Sequence, residues 1–200
     1  MTAHRSTLRA AHAHATRMRI IDAYVECIEE VPADSVTVTL IADRAGVATR
    51  TIYRHFPTRT DLLAGLSEWS LEHFLPIIEF THLTELPSVY REVARRMDAR
   101  PQLARALASS QVGREVYGGV VHAVRTLIEA AVDRDLPHLR PARRTQLIAL
   151  LILLDSAPAW SHLSENFGLQ ADQVSEAVGW AMTALVAAAA NEHDPTSGDI

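Results

Sequence analysis

The chain has 200 residues, 48% of them hydrophobic, which is enough to bury a substantial core in one or two domains. Its single cysteine, Cys27, excludes an intramolecular disulfide framework, and a formal charge of −5 excludes a uniformly basic nucleic-acid coat. The charge is uneven: residues 1–60 hold eight Arg against six acids, residues 61–200 eleven Arg against eighteen acids, and no lysine occurs, so a local basic patch sits on an acidic body.

Residues 1–16 are polar, basic and poor in large apolar side chains, and read as a flexible arm. His12 and His14 within it lack a Cys or carboxylate at ligand spacing, so they read as solvated and no metal is expected. A helical period then runs from Arg17 to Glu30, with Ile20, Ile21, Tyr24, Val25 and Ile28 on its apolar stripe, Cys27 packed among them, and Pro32 as its stop. Strand-like alternation is confined to Ser35–Thr39, too short to found a sheet.

Two short helices follow. Ile41, Ala42 and Ala45 fall at helical spacing, with small residues where helices must approach, and Gly46 supplies the helix-ending conformation. The next helix carries Thr49, Arg50, Thr51, Tyr53, Arg54 and His55, and ends at Phe56-Pro57. That order suits a helix-turn-helix, in which the first helix braces a second that lies in the major groove. Ala48 cannot cap the second helix with a side chain, so the cap is either Thr49 or lost. Arg50, near the start of the groove helix, is the leading candidate for bidentate reading of guanine. Within Ser35–Thr60 the four arginines Arg44, Arg50, Arg54 and Arg59 face one acid, Asp43. For His55 two readings stand, a phosphate contact and packing against the first helix.

The segment resembles the DNA-binding region of the TetR family of bacterial transcriptional regulators. The match lies at Thr37, Ile41, Ala42, Ala45, Gly46, Val47, Tyr53, His55, Phe56, Arg59 and Leu62. The resemblance implies an all-α fold of about nine helices, with an N-terminal helix-turn-helix domain (17–60) and a C-terminal effector-binding and dimerisation domain (61–191). It further implies a homodimer on a palindromic double-stranded operator, with contacts to the DNA backbone from Thr37, Tyr53 and His55, and with Arg44, Thr49, Arg50, Thr51, Arg54 and Arg59 completing the candidate DNA-binding set. A ligand-responsive repressor is the function implied, in which an effector moves the fourth helix and spoils the spacing of the two reading heads.

From Thr58 a long helix passes through Asp61, Leu62, Leu66, Trp69, His73 and Phe74, and further helical segments are expected near 87–99, 101–111, 114–134, 142–165 and 170–191. Trp69, His73, Phe74, Met97, Leu107, Tyr117, Val121 and His122 combine apolar bulk with polar handles and are the candidate lining of a pocket for a small hydrophobic effector, neutral or cationic. The last two long segments are unusually apolar. Leu147, Leu151 and Leu154 on one, and Val174, Val178, Ala181 and Leu185 on the other, are the candidate dimer interface. The tail 192–200 is polar and reads as disordered.

The apolar run Leu147–Leu154 is eight residues long, far short of the ~20 a membrane span needs, and Asp155 closes it. With no secretory signal visible, a cytoplasmic location is expected, with no membrane partner. No G-x-S-x-G, G-x-x-x-x-G-K-[ST], G-x-G-x-x-G or H-E-x-x-H motif occurs, so no catalytic residue, cofactor or enzymatic activity is assigned. The alternatives are a non-catalytic helical adaptor and, behind it, an enzyme whose scattered residues converge in space.

Overall fold

The computed structural model describes residues 2–192, with side chains from Ala10 onward. Among these residues 82% are helical and there is no strand. The helices are α1 (Thr2–Glu30), α2 (Val38–Ala45), α3 (Thr49–His55), α4 (Arg59–His73), α5 (Leu86–Ala99), α6 (Pro101–Ser109), α7 (Gln111–Asp135), α8 (Pro141–Leu154), α9 (Ala157–Phe167) and α10 (Ala171–Ala190), with 3₁₀ turns at Ala33–Ser35 and Leu83–Glu85. The all-α expectation holds, with ten helices described where about nine were expected.

Two differences from the sequence reading have local causes. The segment expected as a flexible arm is the first half of α1, which starts at Thr2. Residues 10–15 are exposed, so burial does not hold them; Ala10, Ala11, Ala13 and Ala15 supply helix propensity instead. The expected segment 142–165 is two helices, α8 and α9, meeting at an angle of 61° across Asp155 and Ser156. Ser156 caps α9 by accepting from the Ala159 amide at 3.2 Å, and Pro158 occupies the first turn. Of the tail, residues 193–200 lie outside the described residues; Glu192 pairs with Arg143 at 2.6 Å.

The chain divides into two compact units: Met1–Phe74 with Ala106–Tyr117, and Leu75–Arg105 with Gly118–Ile200. The cut thus falls after α4, not at residue 60. In the first unit the buried stripe of α1 (Ile20, Ile21, Tyr24, Val25, Cys27, Ile28) meets Ile41, Ala42 and Ala45 of α2, Ile52 and Phe56 at α3, and Leu62, Leu63 and Leu66 of α4. Gly65 permits the approach of Phe56, since a Cβ there would lie 2.7 Å from the Phe56 ring. The first turn of α7 is held in this unit by Asp34, whose carboxylate accepts from the amides of Gln111 (3.1 Å) and Val112 (3.0 Å). Gly113 is obligatory in that turn, because an added Cβ would meet the Leu107 carbonyl oxygen at 1.7 Å.

In the second unit α10 packs along α5 and against α8. Tyr90, Ala94 and Met97 of α5, Leu147, Ile148 and Leu151 of α8, and Val174, Val178 and Met182 of α10 are buried in its core. The turn at Leu83–Glu85 is tied to the end of α7 by Asp135, which accepts from the Leu83 amide at 2.7 Å and pairs with His82 at 2.8 Å. No single described helix is long and apolar enough to cross a membrane.

Candidate nucleic-acid interface

The helix-turn-helix is assembled by local chemistry at each boundary. Thr37 caps α2, its hydroxyl accepting from the Leu40 amide at 3.2 Å. Gly46 ends α2 at φ 63°, in the left-handed region expected of it. Ala48 then stands at the α3 N-cap without a side-chain bond, so that cap is lost and α3 begins at Thr49. Thr58 and Asp61 close a reciprocal capping box that starts α4 at Arg59, just beyond the α3 C-cap Phe56: Asp61 accepts from the Thr58 amide (2.9 Å) and donates its own amide to the Thr58 hydroxyl (3.1 Å).

The two faces of α3 differ sharply. Ile52 and the following Phe56 are 1% exposed and anchor the helix. Arg50, Tyr53 and Arg54 point away from the core, Tyr53 being 53% exposed, and Thr49, Thr51 and His55 flank them half-buried. Among the described residues neither Arg50 nor Arg54 has a hydrogen-bonding or ion-pair partner. Arg17, Arg44 and Arg59, by contrast, are engaged. Arg17 lies 4.3 Å over the Phe56 ring, donates to the His55 carbonyl at 3.4 Å and pairs with Glu68 at 3.2 Å, so it clamps the end of α3 to α1 and α4. Arg44 forms a two-pronged pair with Glu30 and reaches Glu26 at 3.3 Å. Arg59 pairs with Glu115 at 2.7 Å. Arg44 and Arg59, candidates for DNA contact by sequence, thus brace the unit; the acids Glu26, Glu29 and Glu30 at the end of α1 were the sequence signal available for the Arg44 pairing.

His55 sits between the buried and exposed faces of α3. It is half-buried, and burial together with the charges of Arg54 and Arg17 holds its imidazole below the ordinary value. Cys27 is fully buried, and burial raises its thiol, so it packs and does not react.

The candidate effector residues do not form one set. Trp69, Phe74 and Leu107 are buried in the first unit, and Met97 in the second. Their polar handles are occupied: the Trp69 indole donates to Asp22 at 2.9 Å, the Tyr117 and Ser70 hydroxyls pair at 2.7 Å, and His73 stacks on Trp69 with Nδ1 3.0 Å from the Trp69 carbonyl oxygen. Val121 and His122 are exposed on α7 and line no interior. Sequence reasoning missed Tyr90 and Asp155 in the second unit. Tyr90 Oη and Asp155 Oδ1 are buried without a hydrogen-bonding partner in the protein. An acid closing the apolar run of α8 was the available signal.

The candidate interface residues also need correction. Leu147, Leu151, Val174 and Val178 are at most 3% exposed and fill the second unit's own core. Leu154, Ala181 and Leu185 are half-buried. The exposed apolar side chains on the same helices are Leu150, Leu153 and Trp180, at 42%, 59% and 75%. Arg143–Glu192, joining the first turns of α8 to the end of α10, runs the two helices antiparallel.

Comparison with known proteins agrees with this geometry. Residues 20–66 match the profile of the bacterial regulatory proteins of the tetR family. Nucleoid occlusion factor SlmA of Marinomonas sp. is 24% identical over 124 residues, 59% of this chain, and the chain spans 60% of that protein's length. A tetR-family transcriptional regulator from Streptomyces coelicolor superposes with a TM-score of 0.64 at 20% identity, over 91% of this chain and 87% of that one. NalD of Pseudomonas aeruginosa, the secondary repressor of the MexAB-OprM multidrug efflux pump, gives 0.64 at 18% identity over 86% and 96%. At these identities the structural likenesses establish the fold. Residues 20–66, which hold the helix-turn-helix, are thus similar to the bacterial regulatory proteins of the tetR family.

Proposed function

We propose that the protein is a homodimeric, ligand-responsive transcriptional regulator, acting as a repressor in the cytoplasm without catalytic activity. It binds double-stranded DNA through α3 and takes a small hydrophobic effector in its second unit. The observation that carries this reading is the asymmetry of the arginines. Arg17, Arg44 and Arg59 are all consumed by acids of the same unit, while Arg50 and Arg54 stand unpartnered beside an exposed Tyr53. A helix that needed only to pack would not keep two free guanidiniums and an exposed phenol on one face; a helix entering a major groove would. Arg50, in the first turn, is placed to read bases. Thr37, Thr49, Thr51, Tyr53, Arg54 and His55 surround it where phosphates pass.

A two-fold assembly follows from the second unit. Leu150, Leu153 and Trp180 leave apolar surface on α8 and α10, which a second copy would cover, pairing two α3 helices for a palindromic site. α7 begins in the first unit, where Asp34 holds its first turn, and continues into the second. An effector that shifts α7 therefore has a covalent route to the reading head.

The test is a gel shift of sheared genomic fragments against excess non-specific competitor. Retention of particular fragments, lost on replacing Arg50 and Arg54 with Ala, is expected. Retention of none, or of the same fragments by the double variant, overturns the DNA-binding reading and favours an adaptor.

A further inference from the structure

Helix junctions commonly place an acid where its carboxylate caps the next helix, but at the 61° corner between α8 and α9 that work is done by Ser156. Its hydroxyl accepts from Ala159 and donates to the Leu153 carbonyl at 2.6 Å. Asp155, the last residue before it, sends Oδ1 into the interior, where no protein group meets it. Tyr90 of α5, itself 0% exposed, likewise keeps its hydroxyl buried and unpartnered. Burial above all, and then the charges of Asp155 and Asp98, push the Tyr90 phenol up, so the two orphaned groups share one region.

A buried donor or acceptor left unpaired costs ~1–3 kcal/mol, so two together mark a place where something else supplies the bonds. The sign of the charge follows from what surrounds them. Asp98, two turns along α5 from Tyr90, accepts from the Trp160 indole at 2.9 Å, and Asp172 at the start of α10 adds a second carboxylate. The nearby cation, Arg105, is balanced by Glu165 at 3.1 Å. The remaining side chains on the inner faces of α5 and α8, among them Ala94, Met97 and Leu151, are apolar. Asp155 as a whole residue is half-buried at its corner, while its Oδ1 is sealed from solvent. Among the described residues no group of three His, Cys, Asp or Glu side chains could hold a metal ion.

Resting on the proposed reading of the second unit as effector-binding, we propose that Asp155 and Tyr90 are the polar end of the effector site, and that the effector class is a hydrophobic protonated amine. Its ammonium donates to Asp155 Oδ1 and Tyr90 Oη, while its apolar body lies among α5 and α8. Burial alone raises the Asp155 carboxyl to about 7, so the free site is largely uncharged in mildly acidic solution and becomes an anion as the cation enters. No neighbouring charge offsets that burial; the charged groups around the site are Asp98, which acts on Tyr90 of α5, Asp172 of α10 and Arg105 of α6, which act on Asp98, and Glu165 of α9, paired with Arg105.

The test uses the full chain without DNA and an isosteric pair of probes, 3-phenylpropylamine and n-butylbenzene, followed by calorimetry. The amine should bind at least tenfold more tightly than the hydrocarbon. Its affinity should rise about tenfold between pH 6 and pH 8, the change in ionised fraction of a group titrating at about 7. Asp155→Asn should abolish both the preference and the pH dependence, and Tyr90→Phe should reduce the preference. Equal binding of the two probes, binding of neither, or a preference kept by Asp155→Asn overturns the proposal. The pH series on the wild type stands even if a variant fails to fold. Operator binding measured in parallel separates the two readings: an amine that binds without loosening the operator removes ligand response and leaves the site, whereas operator binding without amine uptake removes the site alone.

Discussion

Replacing Asp155 with Asn should stabilise the protein in a pH-dependent way. Burial raises this carboxyl from 3.8 to about 7, with no opposing bond or charge to offset it. The folded state therefore holds the proton more tightly than the unfolded state, and stability falls as pH rises from the unfolded value through the folded one. At ~1.4 kcal/mol per unit, the complete penalty above pH 7 is at most about 4 kcal/mol. Part of it has already developed by pH 5, so the advantage of Asp155→Asn should grow by ~2–3 kcal/mol between pH 5 and pH 8. Urea unfolding of both proteins at matched protomer concentration, at each pH in that range, measures the difference while every other titrating group cancels. A difference that does not change with pH would refute the buried, unpartnered carboxylate, as would an Asn variant that is the less stable at pH 8.

The remaining predictions concern the interface with DNA and the assembly. Arg50→Ala should relax preference at one base position and cost ~1–3 kcal/mol on the specific site, whereas Arg44→Ala should leave base preference intact and lower the melting temperature; binding titrations across operator variants check both. Because burial and neighbouring arginines hold His55 below its ordinary value, a phosphate beside it would raise it, so operator affinity should increase as pH falls from the bound imidazole's value towards the lower free one, and His55→Gln should remove that dependence. Leu153→Arg should give a folded monomer by sedimentation, since Leu153 is 59% exposed, while Leu151→Ala should leave the assembly intact and cost ~2–5 kcal/mol by opening a core cavity.

What was legible in the sequence is what short-range chemistry dictates. Thr37, Gly46, Phe56 and Thr58 each set a boundary by a local bond or backbone angle, and α2 and α3 fall where those residues place them. The start of α1 was hidden because apolar periodicity is silent about a helix sustained by alanine propensity. Ser156 with Pro158 did signal the start of α9, but the apolar run on either side masked it. Burial partners were not legible. On α8 and α10 apolar residues lie on two faces, and only packing shows that Leu151 and Val178 fill the core while Leu153 and Trp180 face out. The polar handles chosen by type, Trp69 and Tyr117, had already found partners in Asp22 and Ser70, and the unpartnered Asp155 and Tyr90 come together only through the fold.

The central claim is that two copies of α3 read DNA together. Selection of random double-stranded DNA by the purified full chain, followed by sequencing, tests it directly. The account predicts an inverted repeat whose half-sites are centred one helical turn or a small multiple apart, ~34–36 Å per turn, with the strongest constraint at a guanine in each half. Enrichment of a single asymmetric site, or of no sequence, would contradict it.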